Sequence, residues 1–416
     1  MSSINQKKYR IALFVGGLAY DGEFFETAIN KMVDFDSNSV IKYQNTIDMK
    51  NYDIETDKFL TASGNQLIES TEEYVQISSQ IRSIVNLAKL NENKVILVKT
   101  KLDTFPYEAN NGQVKYKKYD LIDNQALKIK KIIDIINIFG ADVEIALVGH
   151  SQGGLVNLKA STLAPHKIKE IISISTPYGR SAFASILSDI EFIINIFNGS
   201  LVESIADVDK NDIEYTNYNT SIDQMSSNTY LNNLKNAWLN LETRPRLTVI
   251  AGISIHMMTS QYYNVLFFPI EVNKRYPFDG LVFGKEQVDI AEADVYVLHN
   301  DGVNCYETSN HFNNYCCAEI NLVHQHDCDC ALPCFDISDA LFQSTIDIIK
   351  NLIHNGTNFS LTDLPVVKAI IEGINGVPCS NERYRQYYEL MGGNYSHKNI
   401  INQDDTVALI LGVLKS

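Results

Sequence analysis

The stretch Val143-Glu144-Ile145-Ala146-Leu147-Val148-Gly149-His150-Ser151-Gln152-Gly153-Gly154 limits what this chain can fold into more than any other. It is an apolar, β-branched-rich run, then a serine with glycines two residues away on each side, then a helical segment starting near Gln152. A serine on a sharp strand-to-helix turn sits at a strained backbone angle, so its flanking positions must carry almost no side chain. Such a turn presents the hydroxyl at the carboxyl edge of a sheet. It also leaves the Gln152 amide free at a helix N-terminus, where an oxyanion can bind. Ser151 is therefore the candidate nucleophile and Gln152 a candidate oxyanion donor. The plainer alternative is a glycine-rich turn whose serine is idle.

The flanking pattern extends the strand-turn-helix theme. An apolar run over 9–15 stops at Gly16-Gly17-Leu18, as a strand does when its following loop must approach something closely. The backbone amide of Leu18 is the candidate second oxyanion donor, against a plain strand-to-helix turn. Helical patterns cover 23–33, 65–90 and 123–139, the last with Asp123 as N-cap candidate and Gly140 as its stop. Strand patterns cover 39–43, 94–98, 171–175, 247–253 and 295–298. Residues 101–119, rich in Lys and Tyr without periodicity, are expected to be loop. Strands alternating with helices at this spacing predict a mostly parallel sheet covered on both faces.

Residues 181–243 leave that alternation. An apolar helical run over 183–197 is followed by a polar stretch rich in Asp, Asn and Tyr, and then by helix again over 231–241. This insertion is expected to be a cap over the active site, with ordinary core packing as the alternative for its apolar helix. The expected core is 1–180 with 244–354. Residues 355–416, with an apolar end at 407–414, are expected to be an appendage packed on it.

A serine nucleophile needs a base to take its proton and an acid to orient that base. Around this kind of turn the order is serine, carboxylate, histidine, the last two following later strands. Asp279 and His326 meet those conditions. Asp301 is a second acid of similar appearance. His324 is a second histidine ending the same predicted strand at 318–323, which precedes a helix expected over 336–353. His326 is preferred because it lies further into the loop.

Net charge is −15, from 35 Lys and Arg against 50 Asp and Glu. An acidic chain gets no electrostatic help in binding nucleic acid or an anionic membrane face. No apolar run reaches the ~18 residues of a membrane-crossing helix. Lys7, Lys8 and Arg10 before an apolar run resemble the start of a signal peptide. The small-residue cleavage pattern is poor, however, and a strand uses the run better. The expected location is the cytoplasm, with export lacking a standard signal left open. Six of the seven cysteines (Cys305, Cys316, Cys317, Cys328, Cys330, Cys334) crowd one region beside the histidines. A metal site, disulfides and free thiols all stay open there.

Several segments are similar to those of the α/β-hydrolase superfamily, in its lipase and esterase group. Gly149-His150-Ser151-Gln152-Gly153-Gly154 resembles the lipase nucleophile elbow closely. Phe14-Val15-Gly16-Gly17-Leu18 resembles the oxyanion-loop strand, with Gly16 where many lipases have histidine. Ser175-Thr176-Pro177 resembles the loop after the next strand, the segment from Ser221 to Leu234 a cap exit, and Asp279-Gly280-Leu281-Val282 the acid motif. The resemblance runs over about 9–353. It implies an α/β-hydrolase fold with a mostly parallel central sheet, helices on both faces and a cap insertion. It also implies ester hydrolysis by Ser151, Asp279 and His326, with Leu18 and Gln152 as the oxyanion hole. No cofactor is required. The expected partner is a small-molecule ester or lipid substrate, with transient contact at a lipid surface and no nucleic acid.

Overall fold

The apolar runs become the middle strands of a parallel sheet, because strands buried on both faces need apolar side chains at successive positions. In a computed structural model the described residues are 9–17, 23–63, 66–102, 104–110, 113–118, 120–179, 221–253, 255–265, 268–278, 284–299, 302–306, 334–336, 397 and 399–416.

In chain order the elements begin β1 (Tyr9–Val15), α1 (Glu26–Phe35), β2 (Val40–Lys42), β3 (Ile47–Asp48), β4 (Tyr52–Asp53), β5 (Lys58–Ser63), β6 (Gln66–Glu69), α2 (Thr71–Leu90) and β7 (Val95–Lys101). Next come β8 (Thr104–Asn110), β9 (Gln113–Lys118), α3 (Ile122–Phe139), β10 (Val143–His150), α4 (Gln152–Leu163) and β11 (Ile168–Ile174). Then follow α5 (Ser221–Ser226) and α6 (Asn228–Leu239), both within the expected cap, and β12 (Arg246–Gly252), β13 (Ile255–Val265), β14 (Phe268–Phe278) and α7 (Gly284–Gln287). The described elements end with β15 (Asp294–His299), β16 (Gly302–Tyr306), β17 (Cys334–Asp336), a 3-10 turn (Ile400–Asn402) and α8 (Asp404–Lys415).

The chain divides into two compact units. The first comprises Met1–Thr176, Thr216–Val249 and Ile401–Ser416. Its sheet runs β12-β11-β10-β1-β7-β2, with β3 also on β7. The β11-β10, β10-β1, β1-β7 and β7-β2 pairs are all parallel. Ile11, Ala12, Leu13, Phe14 and Val15 are all at most 1% exposed. Successive strand residues face opposite ways, so both faces of the sheet are covered. Phe14 meets Phe25 beside α1 edge to face at 5.2 Å between centroids. α2, α3 and α4 pack side by side, and α1 packs against α8. The C-terminal helix is tied in by Arg10 Nη1, which donates to Leu414 O (2.9 Å), and by the Lys415–Asp36 ion pair (2.7 Å).

The second unit comprises Pro177–Tyr215 and Ile250–Ile400. There β13 and β14 form an antiparallel hairpin in register Ile255 to Phe278, and β17 adds to β13 in parallel. β15 and β16 form a second antiparallel hairpin. The buried Gln287 side chain accepts from Gly252 N–H (2.9 Å) and donates to Gly252 O (3.1 Å).

Three local expectations change. Residues 101–119 are not loop: β8 and β9 pair antiparallel, Asn110 opposite Gln113 with Asn111-Gly112 between them. Asn-Gly between two runs is the hairpin turn signal, which a search for periodicity passes over. The helix expected from residue 65 starts at Thr71, after β6, where the Ser70 hydroxyl accepts from Glu73 N–H (3.2 Å). Ser-x-x-Glu is the capping signature that marks this start. Ile68, before the helix, and Val75, within it, are 45% and 62% exposed, so neither belongs to its buried face. Asp123 does not cap α3, whose N-cap is Leu121. Its carboxylate accepts from Lys159 of α4 (2.6 Å) and from Gln224 of α5 (2.6 Å), while Gln224 Oε1 accepts from Ile122 N–H (2.6 Å). A tertiary side chain thus caps this helix.

Candidate active site

Ser151 stands between β10 and α4 at φ 54 and ψ −127. A non-glycine residue on the left-handed side costs energy and persists only where its surroundings over-determine it. They do so here. Ser151 N–H donates to Ile174 O of the neighbouring strand (2.8 Å), and Ser151 O accepts from Gly154 N–H (3.1 Å). A Cβ on Gly149 would stand 2.5 Å from Gly153 C and 2.6 Å from Asn157 Nδ2. A Cβ on Gly153 would collide with Val15 O and lie 2.6 Å from Gly16 O. The glycines of the motif are thus needed for close approach: one lets α4 fold back onto β10, the other lets α4 meet the end of β1.

That second approach places Val15 and Gly16, the start of the expected oxyanion loop, against the first turn of α4. The sheet register agrees, since Val15 is level with Gly149 on one side and with Thr100 on the other. Thr100 Oγ1 donates to Phe14 O (2.8 Å), pinning the end of β1 from β7. The serine itself is 9% exposed, at the carboxyl edge of the first unit's sheet. Below it α4 is buried nearly all round, from Gln152 to Leu158. The N–H groups of its first turn lack intrahelical acceptors by position. Their partial positive charge suits a developing anion. The Gln152 side chain is fully buried, and among the described residues neither of its amide atoms has a hydrogen-bond partner. Ser175, immediately after β11, also has a positive φ (48°) and a buried hydroxyl without a partner among the described residues.

Of the expected site residues, Ser151 and Gln152 are described. Leu18, Asp279, Asp301, His324 and His326 lie outside the described residues, as does most of the expected cap. In the second unit Asp279 follows directly on Phe278, the last residue of β14, and Asp301 falls between β15 and β16. His299, passed over in the sequence, ends β15 opposite Gly302. Cys305 lies on β16 and Cys334 on β17, and the other clustered cysteines are outside the described residues. Among the described residues no group of His, Cys, Asp or Glu is arranged to hold a metal ion, and no helix is long and apolar enough to cross a membrane.

A charged cluster that sequence reading missed sits at the same sheet edge. Lys99 on β7 is 3% exposed, and its Nζ donates to both Glu23 carboxylate oxygens (2.9 and 2.8 Å) and to Glu26 (2.7 Å). Lys42 also pairs with Glu26. Hydrogen bonds from Lys42 and Lys99 hold the Glu26 carboxyl down at about 2. For Lys99, burial acts to lower the pKa, but Glu23 and Glu26 outweigh it and the net shift is upward. The available signal was a lysine directly after the apolar run Val95-Ile96-Leu97-Val98, where the strand is still buried.

A mostly parallel sheet with covered faces, and a strained serine between its central strand and a buried helix, give the described residues an α/β-hydrolase-like fold. Residues 79–256, which include the elbow, match the family of the PGAP1-like alpha/beta domain. No curated protein matches the chain in sequence. Among solved structures the chain is similar to phospholipase PlaB from Legionella pneumophila in complex with thio-NAD. The identity is 10% over 70% of this chain and 51% of that one, with a TM-score of 0.31. It is also similar to the lin2722 gene product of Listeria innocua (11% identity, 71% and 85% covered, TM-score 0.34). A third is the mature form of lipase BlEst2 from Bacillus licheniformis (14% identity, 61% and 70% covered, TM-score 0.27). The matched region spans about half the length of the Legionella protein. At these identities and scores the likenesses carry no conclusion about chemistry.

Proposed function

We infer that the protein is a serine hydrolase that cleaves carboxylic esters of lipid or acyl type through an acyl-enzyme on Ser151. The observation that carries this reading is the geometry of Ser151: a strained, glycine-flanked serine at a sheet's carboxyl edge, above a buried helix N-terminus. Ser151 Oγ attacks the ester carbonyl carbon while His326 accepts its proton. Asp279 orients the imidazole and stabilises its charged form. The amides of Leu18 and Gln152 hold the tetrahedral oxyanion, each donor contributing about 3 kcal/mol to the transition state. The intermediate expels the alcohol, which takes the proton from His326. Water, deprotonated by the same histidine, then releases the acid and restores Ser151. The apolar segment at 183–197 favours an acyl chain over a small polar ester.

A fluorophosphonate probe tests the nucleophile. Stoichiometric labelling of folded wild type, lost in Ser151→Ala, is expected. Folded protein that does not label would refute the enzyme and leave a non-catalytic binding protein of this fold. Chromogenic esters of increasing chain length then test the substrate class. Preference for acetate refutes the lipid reading, and faster turnover of thioesters or amides moves the assignment to those leaving groups. Alanine variants of Asp279, Asp301, His299, His324 and His326 in the same assay assign the acid and the base.

A further inference from the structure

Among the described residues five that are not glycine have a positive φ: Asp57, Asn93, Ser151, Ser175 and Glu292. Asp57, Asn93 and Glu292 are exposed and lie in turns or bends between elements. Ser151 and Ser175 are the two that are buried. They end neighbouring strands. The β10–β11 ladder pairs His150 with Ile174, and Ser151 N–H donates to Ile174 O (2.8 Å), so the two serines are the next residues at the same carboxyl edge. Neighbouring strands lie about 4.8 Å apart, so a molecule seated on Ser151 lies beside Ser175. Both flanks of Ser175 are fixed. Ile174 O holds the backbone of Ser151, and Thr176 packs on the first turn of α4, where a Cβ on Gly154 would lie 2.7 Å from Thr176 Cγ2.

Ser175 carries two costs. Its backbone is strained at φ 48°, and its hydroxyl is buried without a partner among the described residues. A glycine would remove both, since it adopts a positive φ freely and brings no hydroxyl. Folding by itself gives no reason to keep a serine here, whereas a molecule bound at Ser151 supplies one, a partner for the hydroxyl. Ser151 is itself 9% exposed, so a substrate that reaches it enters the same enclosed ground. We propose that Ser175 is a specificity-determining residue whose hydroxyl hydrogen-bonds a neutral oxygen of the substrate beside the scissile ester. This rests on the serine-hydrolase reading. A serine hydroxyl donates and accepts and carries no charge, so a substrate hydroxyl fits it better than an ionised group. An analogue lacking that oxygen leaves a buried polar group unpaired, and such sites discriminate strongly between near-identical substrates.

The test uses the full chain as wild type, Ser175→Gly and Ser175→Ala, with two matched pairs of esters that differ by hydroxyls alone. One pair is the glycerol and propyl monoesters of octanoic acid, which places the oxygen on the alcohol side. The other is the ethyl esters of α-hydroxyoctanoic and octanoic acid, which places it on the acyl side. Acid release gives kcat/KM, and melting temperature is read alongside. Wild type should favour the hydroxylated member of one pair by ~10-fold, the worth of one hydrogen bond. In both variants that ratio should fall toward one, with the loss on the hydroxylated ester, and Ser175→Gly should melt no lower than wild type. A merely structural serine would slow both members of a pair together and leave the ratio in place. A wild-type ratio near one in both pairs, a ratio the variants leave unchanged, or an equal loss on both members overturns the proposal. If Ser175→Ala does not fold at this backbone angle, Ser175→Gly carries the test, because glycine takes a positive φ without strain. A wild type that turns over no ester and takes no fluorophosphonate label overturns the hydrolase reading and this proposal with it. A labelled, active wild type without the preference overturns this proposal alone.

Discussion

Replacing Gly153 by alanine isolates the contact on which the site is built. The new methyl would lie 2.6 Å from Gly16 O and closer still to Val15 O. Non-bonded heavy atoms rest at about 3.5 Å, so the two backbones must part by more than about 0.9 Å. The helix side has little room to give. Ser151 N–H is bonded to Ile174 O (2.8 Å), and Gly153 itself abuts Gly149. The end of β1, with Gly16, must therefore retreat from the first turn of α4. Overpacking of this kind costs about 1–3 kcal/mol of stability. A shift near 1 Å at the donor costs ~10²-fold in kcat. Urea denaturation gives the first quantity and turnover of a chromogenic ester the second. A Gly153→Ala protein with an unchanged midpoint and a kcat within threefold of wild type would refute the reasoning, because the β1 end would then be free to move without consequence.

Gly412 is the contrasting case: it lies inside α8, and a Cβ added there would meet nothing within 4 Å. Gly412→Ala should therefore stabilise the protein by about 1 kcal/mol in the same denaturation assay. Lys128 and Asp120 form an ion pair at 0% and 1% side-chain exposure (2.9 Å), with Lys128 Nζ also donating to Leu102 O (2.9 Å). Lys128→Met should cost about 3–5 kcal/mol by stranding the carboxylate, and adding Asp120→Asn should recover much of it in a double-mutant cycle. Glu26, held at about 2 against an unfolded 4.5, contributes stability that is present above pH 4.5 and lost as pH falls from there toward 2. Its side chain is 34% exposed, so solvent screening keeps the effect to about 1 kcal/mol or less. The stability difference between wild type and Glu26→Gln should shrink between pH 6 and pH 3, and a constant difference would contradict the assignment.

Much of the sheet was legible because its cause is local. A strand buried on both faces must be apolar at successive positions, and β1, β7, β10, β11 and β12 carry that run in their own residues. The elbow was legible for the same reason: the strain at Ser151 and the crowding at Gly149 and Gly153 arise within a few residues of chain. Antiparallel pairing is different. β8 and β9 are stabilised by each other, and their Lys- and Tyr-rich residues have no period that marks them as strands alone. The start of α3 was misplaced because Gln224, about a hundred positions on, supplies the cap.

By itself, then, the sequence determined the strained serine turn, the class of sheet that presents it, and the glycines that let it be presented. All of these follow from steric and burial constraints between neighbouring residues. The tertiary structure alone decided what stands around that turn. It brought the end of β1 against Gly153, set Lys99 between two glutamates more than seventy residues away, and closed α8 over α1. Those outcomes depend on which distant segments meet, and a lysine at the end of an apolar run discloses a partner only when the chain has brought one to it.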